Sequence, residues 1–298
     1  MANSTKIDRN RLLDHVRKLA RSPRPAGSPA LEAARSYVAA EFAACGWKVE
    51  PVPFEGIAED GSRQAGINLV ARHPALFTGE KPLFCVGAHV DSIPDSPGAD
   101  DNASAVATLL EVARALPAAV ADETALDVEL VAFDLEESGM LGGAFHARQA
   151  QADGIDLRGM ASLEMLGYCD HRPGSQALPR SLVGLYPETG NFIAVIGNQN
   201  SEPLAARFRT GMQRVAGLPV ETLLVPENGN LLQATRLSDH SPFWDAGYPA
   251  LMITDTSFLR NPHYHTPGDT PETLDPVFLH RVAAGCLEAV CEVAEKGL

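Results

Sequence analysis

The stretch LFCVGAHVDSIPDSPGADDNASAVATLLEVARAL (83–116) decides the fold. It opens with a short apolar run, LFCVGAHV (83–90), of the length and composition of a buried strand. It closes with ASAVATLLEVARAL (103–116), whose apolar residues recur every three and four positions, the period of a helix with one face in a core. Between the two lie His89, Asp91, Asp100 and Asp101. Strand, polar loop and helix in this order make the unit from which parallel sheets are built.

The alternation continues outward in both directions. DVELVAFDL (127–135), GMASLEML (159–166), NFIAVIGN (191–198) and PALMITDT (249–256) read as strands. GGAFHARQA (142–150) and PLAARFRTGMQRVAG (203–217) read as helices, SPFWDAG (241–247) as a short one, and 276–296 as a closing amphipathic helix. Upstream, helices at about 9–21 and 29–45 flank the turn-rich SPRPAGSP, and KVEPVPF and GINLVARH are strands. The segments 171–190 and 219–236 lose periodicity and gain Pro and Gly. The first reads as an excursion near the site, able to act as a lid.

The expectation is a single α/β domain spanning residues 1–298, built on a mainly parallel or mixed central sheet with helices on both faces. Ligands in such sheets bind beyond the carboxyl ends of the strands.

Composition narrows the function. With 298 residues and 45% hydrophobic content, the chain can bury a sizeable core. A formal net charge of −14 disfavours nucleic-acid binding and attachment to an anionic membrane surface. No apolar run approaches the ~18 residues of a membrane helix. Asp8, Arg9 and Asp14 interrupt any leader-like core at the start. Cys45, Cys85, Cys169, Cys286 and Cys291 show no CxxC spacing; Cys85 in a strand-like run and Cys286 and Cys291 in the closing helix read as buried thiols, and a cytoplasmic location is expected.

Five clusters of acids and histidines stand where strands run out: GAHVDS (87–92), GADDNAS (98–104), AFDLEESG (132–139), ASLEMLG (161–167) and NPHYHTPGDT (261–270). Together they read as a two-metal hydrolase site. His89 and Asp91 share one face of an extended chain, so His89 can ligate while Asp91 accepts its other ring N–H. Asp101, at a helix mouth, can bridge two cations, and Asp100 can serve as a cap. Glu136 and Glu137 cannot both point the same way in a regular strand, so they divide between ligand and base. Glu164 sits among Leu163, Met165 and Leu166, and a carboxylate in such company must be paired, protonated or bound to a cation. His263 and His265 again share a face, and spacing does not choose between them. Thr266 and Asp269 are turn or supporting residues; Asp239 and His240 are weaker candidates, with Ser238 placed to cap a short helix. Met165, Phe258 and Leu259 are candidate pocket residues, and Arg260 reads as a surface residue able to meet a substrate carboxylate.

HVD, GADDNAS, LEESG, LEMLG and YHT in this order resemble the co-catalytic zinc aminopeptidases, a metallopeptidase family with glutaminyl cyclase and glutamate carboxypeptidase relatives. The resemblance runs from about residue 65 onward. It implies two zinc ions, held by His89 and Glu164 on one side and Glu137 and His265 on the other, with Asp101 shared. It implies Glu136 as general base, selects His265 over His263, and gives Tyr264 a part in holding the oxyanion. The expected substrate is a peptide or small amide. Glu164 departs from the family's more usual Asp at that ligand position. A glutaminyl-cyclase-like transferase is the main alternative, disfavoured by Tyr264 where cyclases carry Trp. A non-catalytic binding protein is the other, disfavoured because every ligand position holds a competent residue.

Overall fold

Side-chain caps fix where several helices begin. Asp8 accepts the backbone N–H groups of Asn10 and Arg11 at the start of α1 (Arg9–Leu19). Ser28 accepts that of Leu31 at the start of α2 (Pro29–Ala44), and Asp275 those of Val277 and Phe278 at α7 (Pro276–Lys296). In α2 and α7 a proline fills the first turn, where its missing N–H costs nothing. Between them run α3 (Ala105–Ala119), α4 (Leu141–Ala152), α5 (Glu202–Met212) and α6 (His240–Asp245). This computed structural model describes residues 6–121 and 123–298.

Eight strands form one mixed sheet: β1 (Lys48–Ile57), β2 (Arg63–Arg72), β3 (Leu83–His89), β4 (Asp127–Phe133), β5 (Leu157–Glu164), β6 (Ile193–Asn198), β7 (Val220–Val225) and β8 (Ala250–Thr254). Their spatial order is β1-β2-β4-β3-β5-β8-β6-β7. The inner strands β4, β3, β5 and β8 are parallel, while β2 runs against β4 and β6 against β8. The chain leaves β3 for β4 on one side, then crosses to β5 on the other. The loops after β3, β4 and β5 therefore open at the same end, around the point where the strand order reverses, which is where such sheets bind ligands.

Alternate strand residues feed two cores. Val86, Leu130, Leu163 and Ile253 pack with Val38, Leu109, Phe208 and Val290, placing α1, α2, α3, α5 and α7 on one face. Cys85, Val131, Met160 and Met252 pack with Ala147, Phe243 and Trp244, placing α4 and α6 on the other.

Three expectations are corrected. Val220–Val225, inside the segment read as irregular, is edge strand β7. It stays half-buried almost throughout, so its sequence lacks the alternation of a strand with one dry face. The regular part of α3 starts at Ala105, after a wider turn over Ala99–Ser104. The strand read as 127–135 ends at Phe133, because Asp134 turns aside to accept the N–H of Ile67 and pair with Arg35.

Helices α5 and α7 touch at Gly211, where an added Cβ would lie 2.4 Å from the Ala289 Cα and 2.6 Å from its N. Backbone cannot yield as a side chain can. Gly211→Ala is expected to lower unfolding free energy by about 1–3 kcal/mol, read by urea denaturation.

Candidate metal centre

A buried arginine shapes the first loop. The Arg24 guanidinium, 2% exposed, donates to the carbonyls of Leu19, Val90, Pro97 and Gly98. It gathers the chain between β3 and Asp101 into a tight turn. Gly98 has a φ of +62°, and a Cβ there would meet the Asp101 carbonyl at 2.2 Å, so only glycine fits. Asp269 completes the hold by accepting the N–H of Asp100 at 2.9 Å and of Asp101 at 3.1 Å. The Asp101–Asn102 peptide is cis.

The loop after β4 is held in the same manner. The two oxygens of Asp91 accept the N–H groups of Glu136 and Glu137, each at 3.1 Å. After β5, Asn102 donates to the Leu163 carbonyl and accepts the Met165 N–H, bracketing Glu164 from both sides. Ser238 donates to Glu164 Oε2 at 2.7 Å. Leu135, Met165 and His265 all have positive φ, so left-handed backbone recurs at or beside the acting residues.

These supports bring two clusters together. His89 Nε2 lies 3.3 Å from Asp101 Oδ1 and 3.5 Å from Glu164 Oε2. His265 Nε2 lies 3.2 Å from Asp101 Oδ2 and 3.1 Å from Glu137 Oε2. Each set of three donor atoms fits within 4.8 Å, and each oxygen of Asp101 faces one set. Glu136 belongs to neither, its Oε2 standing 3.9 Å from His89 Nε2. The ring of Tyr264 stacks on that of His265, with centroids 3.8 Å apart.

The electrostatics ask for cations. Burial pushes the Glu136 carboxyl well above its ordinary range, with Glu164 and Glu137 adding to the push. Glu137 is raised to about 7 by burial and the nearby Asp101. Burial opposes charge on Asp101 too, but His265 and His89 beside it hold its carboxyl far below the usual value. Among the described residues, every ion pair of Asp101, Glu136, Glu137 and Glu164 is with His89 or His265. His89 Nε2 and Glu137 Oε1 are buried with no hydrogen-bond partner. Orphaned ligand atoms within converging sets of imidazole and carboxylate fit a pair of divalent cations.

The clusters open onto a cavity of about 210 Å³, lined by Asp101, Glu136, Tyr264 and His265 at one end. Leu178, Leu182 and Tyr186 of the 171–190 excursion line it, as do Phe258 and Leu259.

The profile of peptidase family M28 matches residues 68–290. The sequence is 37% identical over 220 residues to the uncharacterized protein YfbL of Escherichia coli (strain K12), covering 69% of this chain and 65% of that protein. It is 30% identical over 196 residues to leucine aminopeptidase 1 of Fusarium vanettenii, covering 62% of this chain and 45% of that one. The match thus spans less than two thirds of either relative. A zinc aminopeptidase from Bacillus subtilis, BSAP, has the same fold, with a TM-score of 0.75 at 16% identity, covering 99% of this chain and 97% of that one. So has a glutaminyl cyclase of Porphyromonas gingivalis, with a TM-score of 0.71 at 19% identity, covering 95% and 98%.

Several sequence expectations move. His89 Nδ1 lies 3.2 Å from the Asp91 backbone carbonyl and 3.5 Å from its carboxylate, so the Asp91 side chain chiefly serves the loop of Glu136 and Glu137. Ser238 caps nothing; it orients Glu164. Its hydroxyl was visible in SDH (238–240), but no local pattern says that β5 lies opposite it. Asp100 does not cap α3: its oxygens accept from Gly167 N–H, Ser104 Oγ and Asn261 Nδ2. His263 and His265 sit in a turn, not a strand, and share no face; His263 meets the edge of Tyr168 instead. Arg260 is 6% exposed and donates to Gln176 and the Phe192 carbonyl, which ties down the excursion. Met165 is buried outside the cavity lining. Asp239 joins neither cluster; it lies buried against Gly143, and burial pushes it up to about 8.

His240 is likewise structural. Its Nε2 bonds the Thr235 carbonyl at 2.8 Å, and its ring meets the Trp244 edge. Burial lowers its pKa from 6.5 to about 3. As pH falls below 6.5 the unfolded chain takes up a proton that the folded chain refuses, so stability present above 6.5 is lost progressively down to about 3. The slope from this group is at most about 1.4 kcal/mol per pH unit. In urea unfolding between those limits, His240→Phe is expected to show the shallower loss with acid.

Proposed function

This chain belongs to peptidase family M28, and we propose that it is an aminopeptidase that removes single residues from free N-termini with the help of two zinc ions. One observation carries the reading: Asp101 turns one oxygen to His89 and Glu164 and the other to His265 and Glu137. His89, Glu164 and Asp101 would hold one ion; Glu137, His265 and Asp101 would hold the other. When bound, the pair supplies Lewis acidity toward the attacking water and the scissile carbonyl.

The remaining work falls to the protein's own groups. Glu136, close to both clusters but part of neither, takes the proton of the attacking water on a carboxylate oxygen and passes it to the leaving amine. Tyr264, fixed against His265, offers its O–H to the carbonyl oxygen as negative charge develops there; burial raises its pKa, so it keeps its proton. The acidic crevice attracts the substrate's α-ammonium group. The apolar residues of the excursion that line the cavity, Leu178 and Leu182, would help keep water from the reacting bond. Free thiols at all five cysteines support a reducing, cytoplasmic setting.

A peptide pool with half its N-termini acetylated, incubated with zinc-loaded protein or a chelated control, tests the reading by mass spectrometry. Metal-dependent loss of single residues from free N-termini alone is the expected result. Cyclisation of N-terminal glutamine without hydrolysis would instead make the chain a cyclase. Glu136→Gln is expected to cut kcat by about 10²–10⁴ with bound zinc nearly unchanged. By inductively coupled plasma measurement, Asp101→Ala is expected to lose both ions. Ser238→Ala should weaken only one, by about 10–100-fold, because Glu164 loses its orienting partner.

A further inference from the structure

The cavity beside the two clusters extends away from them across the sheet, and the strand register shows where it leads. Glu164 on β5 pairs with Thr254 on β8, Thr254 with Ala194 on β6, and Ala194 with Glu221 on β7. Residues paired in this way project from the same face of a sheet. Neighbouring strands lie about 4.8 Å apart, which puts Glu221 about 14 Å along the row from Glu164. All four line the cavity. A parallel row, Met252, Ile196 and Leu223, forms the rest of the apolar floor. Thr254 and Ala194, being small, leave a trough between the two glutamates.

Glu221 stands apart from the metal-binding acids. Its carboxyl is raised by burial, and among the described residues it forms no ion pair. Tyr186, whose hydroxyl donates to the Thr222 carbonyl, lies beside it and closes that end. The trough therefore begins at the candidate metal-binding groups, runs over apolar surface and ends on a half-buried carboxylate that has no partner among the described residues.

We propose that this trough receives a lysine or arginine side chain at the substrate's N-terminus, with Glu221 meeting its charge. The assignment rests on the aminopeptidase reading above. Long basic side chains carry an aliphatic stem that packs on apolar surface and a charged head that must reach a polar partner. An aliphatic side chain of similar length would cover the same floor but leave Glu221 further desolvated and unpaired, an unfavourable exchange.

The test compares kcat/KM of the zinc-loaded full chain on coumarinylamides of arginine, lysine, norleucine and leucine. Arginine and lysine are expected to exceed norleucine by about tenfold or more, the gain from a charge-assisted hydrogen bond. Glu221→Gln should collapse that ratio, and Glu221→Lys should bring arginine and lysine below norleucine. Faster cleavage of leucine and norleucine than of arginine, or a ratio indifferent to Glu221→Gln, overturns the pocket assignment and leaves the aminopeptidase reading standing. No cleavage of any amide overturns both.

Discussion

Four carboxylates, Asp101, Glu136, Glu137 and Glu164, are held inside one crevice, and among the described residues their ion pairs are all with two imidazoles, His89 and His265. Buried charge of one sign is costly, and protonating the acids is the protein's recourse when no cation is bound. Burial and the neighbouring acids push the Glu136 and Glu137 carboxyls upward accordingly. Much of the surrounding structure serves to keep these groups together in spite of it.

The means are backbone hydrogen bonds to a second set of acids and amides. Asp91 holds the two glutamates after β4, Asp269 holds Asp101, and Asn102 holds the strand end that carries Glu164. None of these needs to touch a metal. Each fixes a loop at the carboxyl end of a parallel strand, where the topology leaves backbone groups free. Arg24 does the same with its guanidinium, from a loop some 70 residues away in sequence. The fold supplies the crevice; these bonds supply the aim within it.

What the sequence made legible follows from this division. The β3–loop–α3 unit was readable because its apolar periods change abruptly at His89 and again after Asp101. Glu164 stood out as an acid in apolar company. Strand β7 was hidden because an edge strand that is half-buried along nearly its whole length has no alternating dry face. Ser238, Arg24 and the Asp91 carboxylate act across 45 to 74 residues of chain, and nothing local announces such pairings. The trough to Glu221 depends on the register of four strands and was invisible for the same reason. Conversely, His240, a weaker candidate in the sequence, is a neutral ring packed on Trp244.

The central claim is that Asp101 is shared between two cations. Crystals of zinc-loaded protein, measured on both sides of the zinc absorption edge, test it most directly. The account predicts two anomalous peaks about 3.5–4 Å apart, flanking Asp101, one among His89 and Glu164 and the other among Glu137 and His265. A single peak, or none, in protein that still removes N-terminal residues would contradict it.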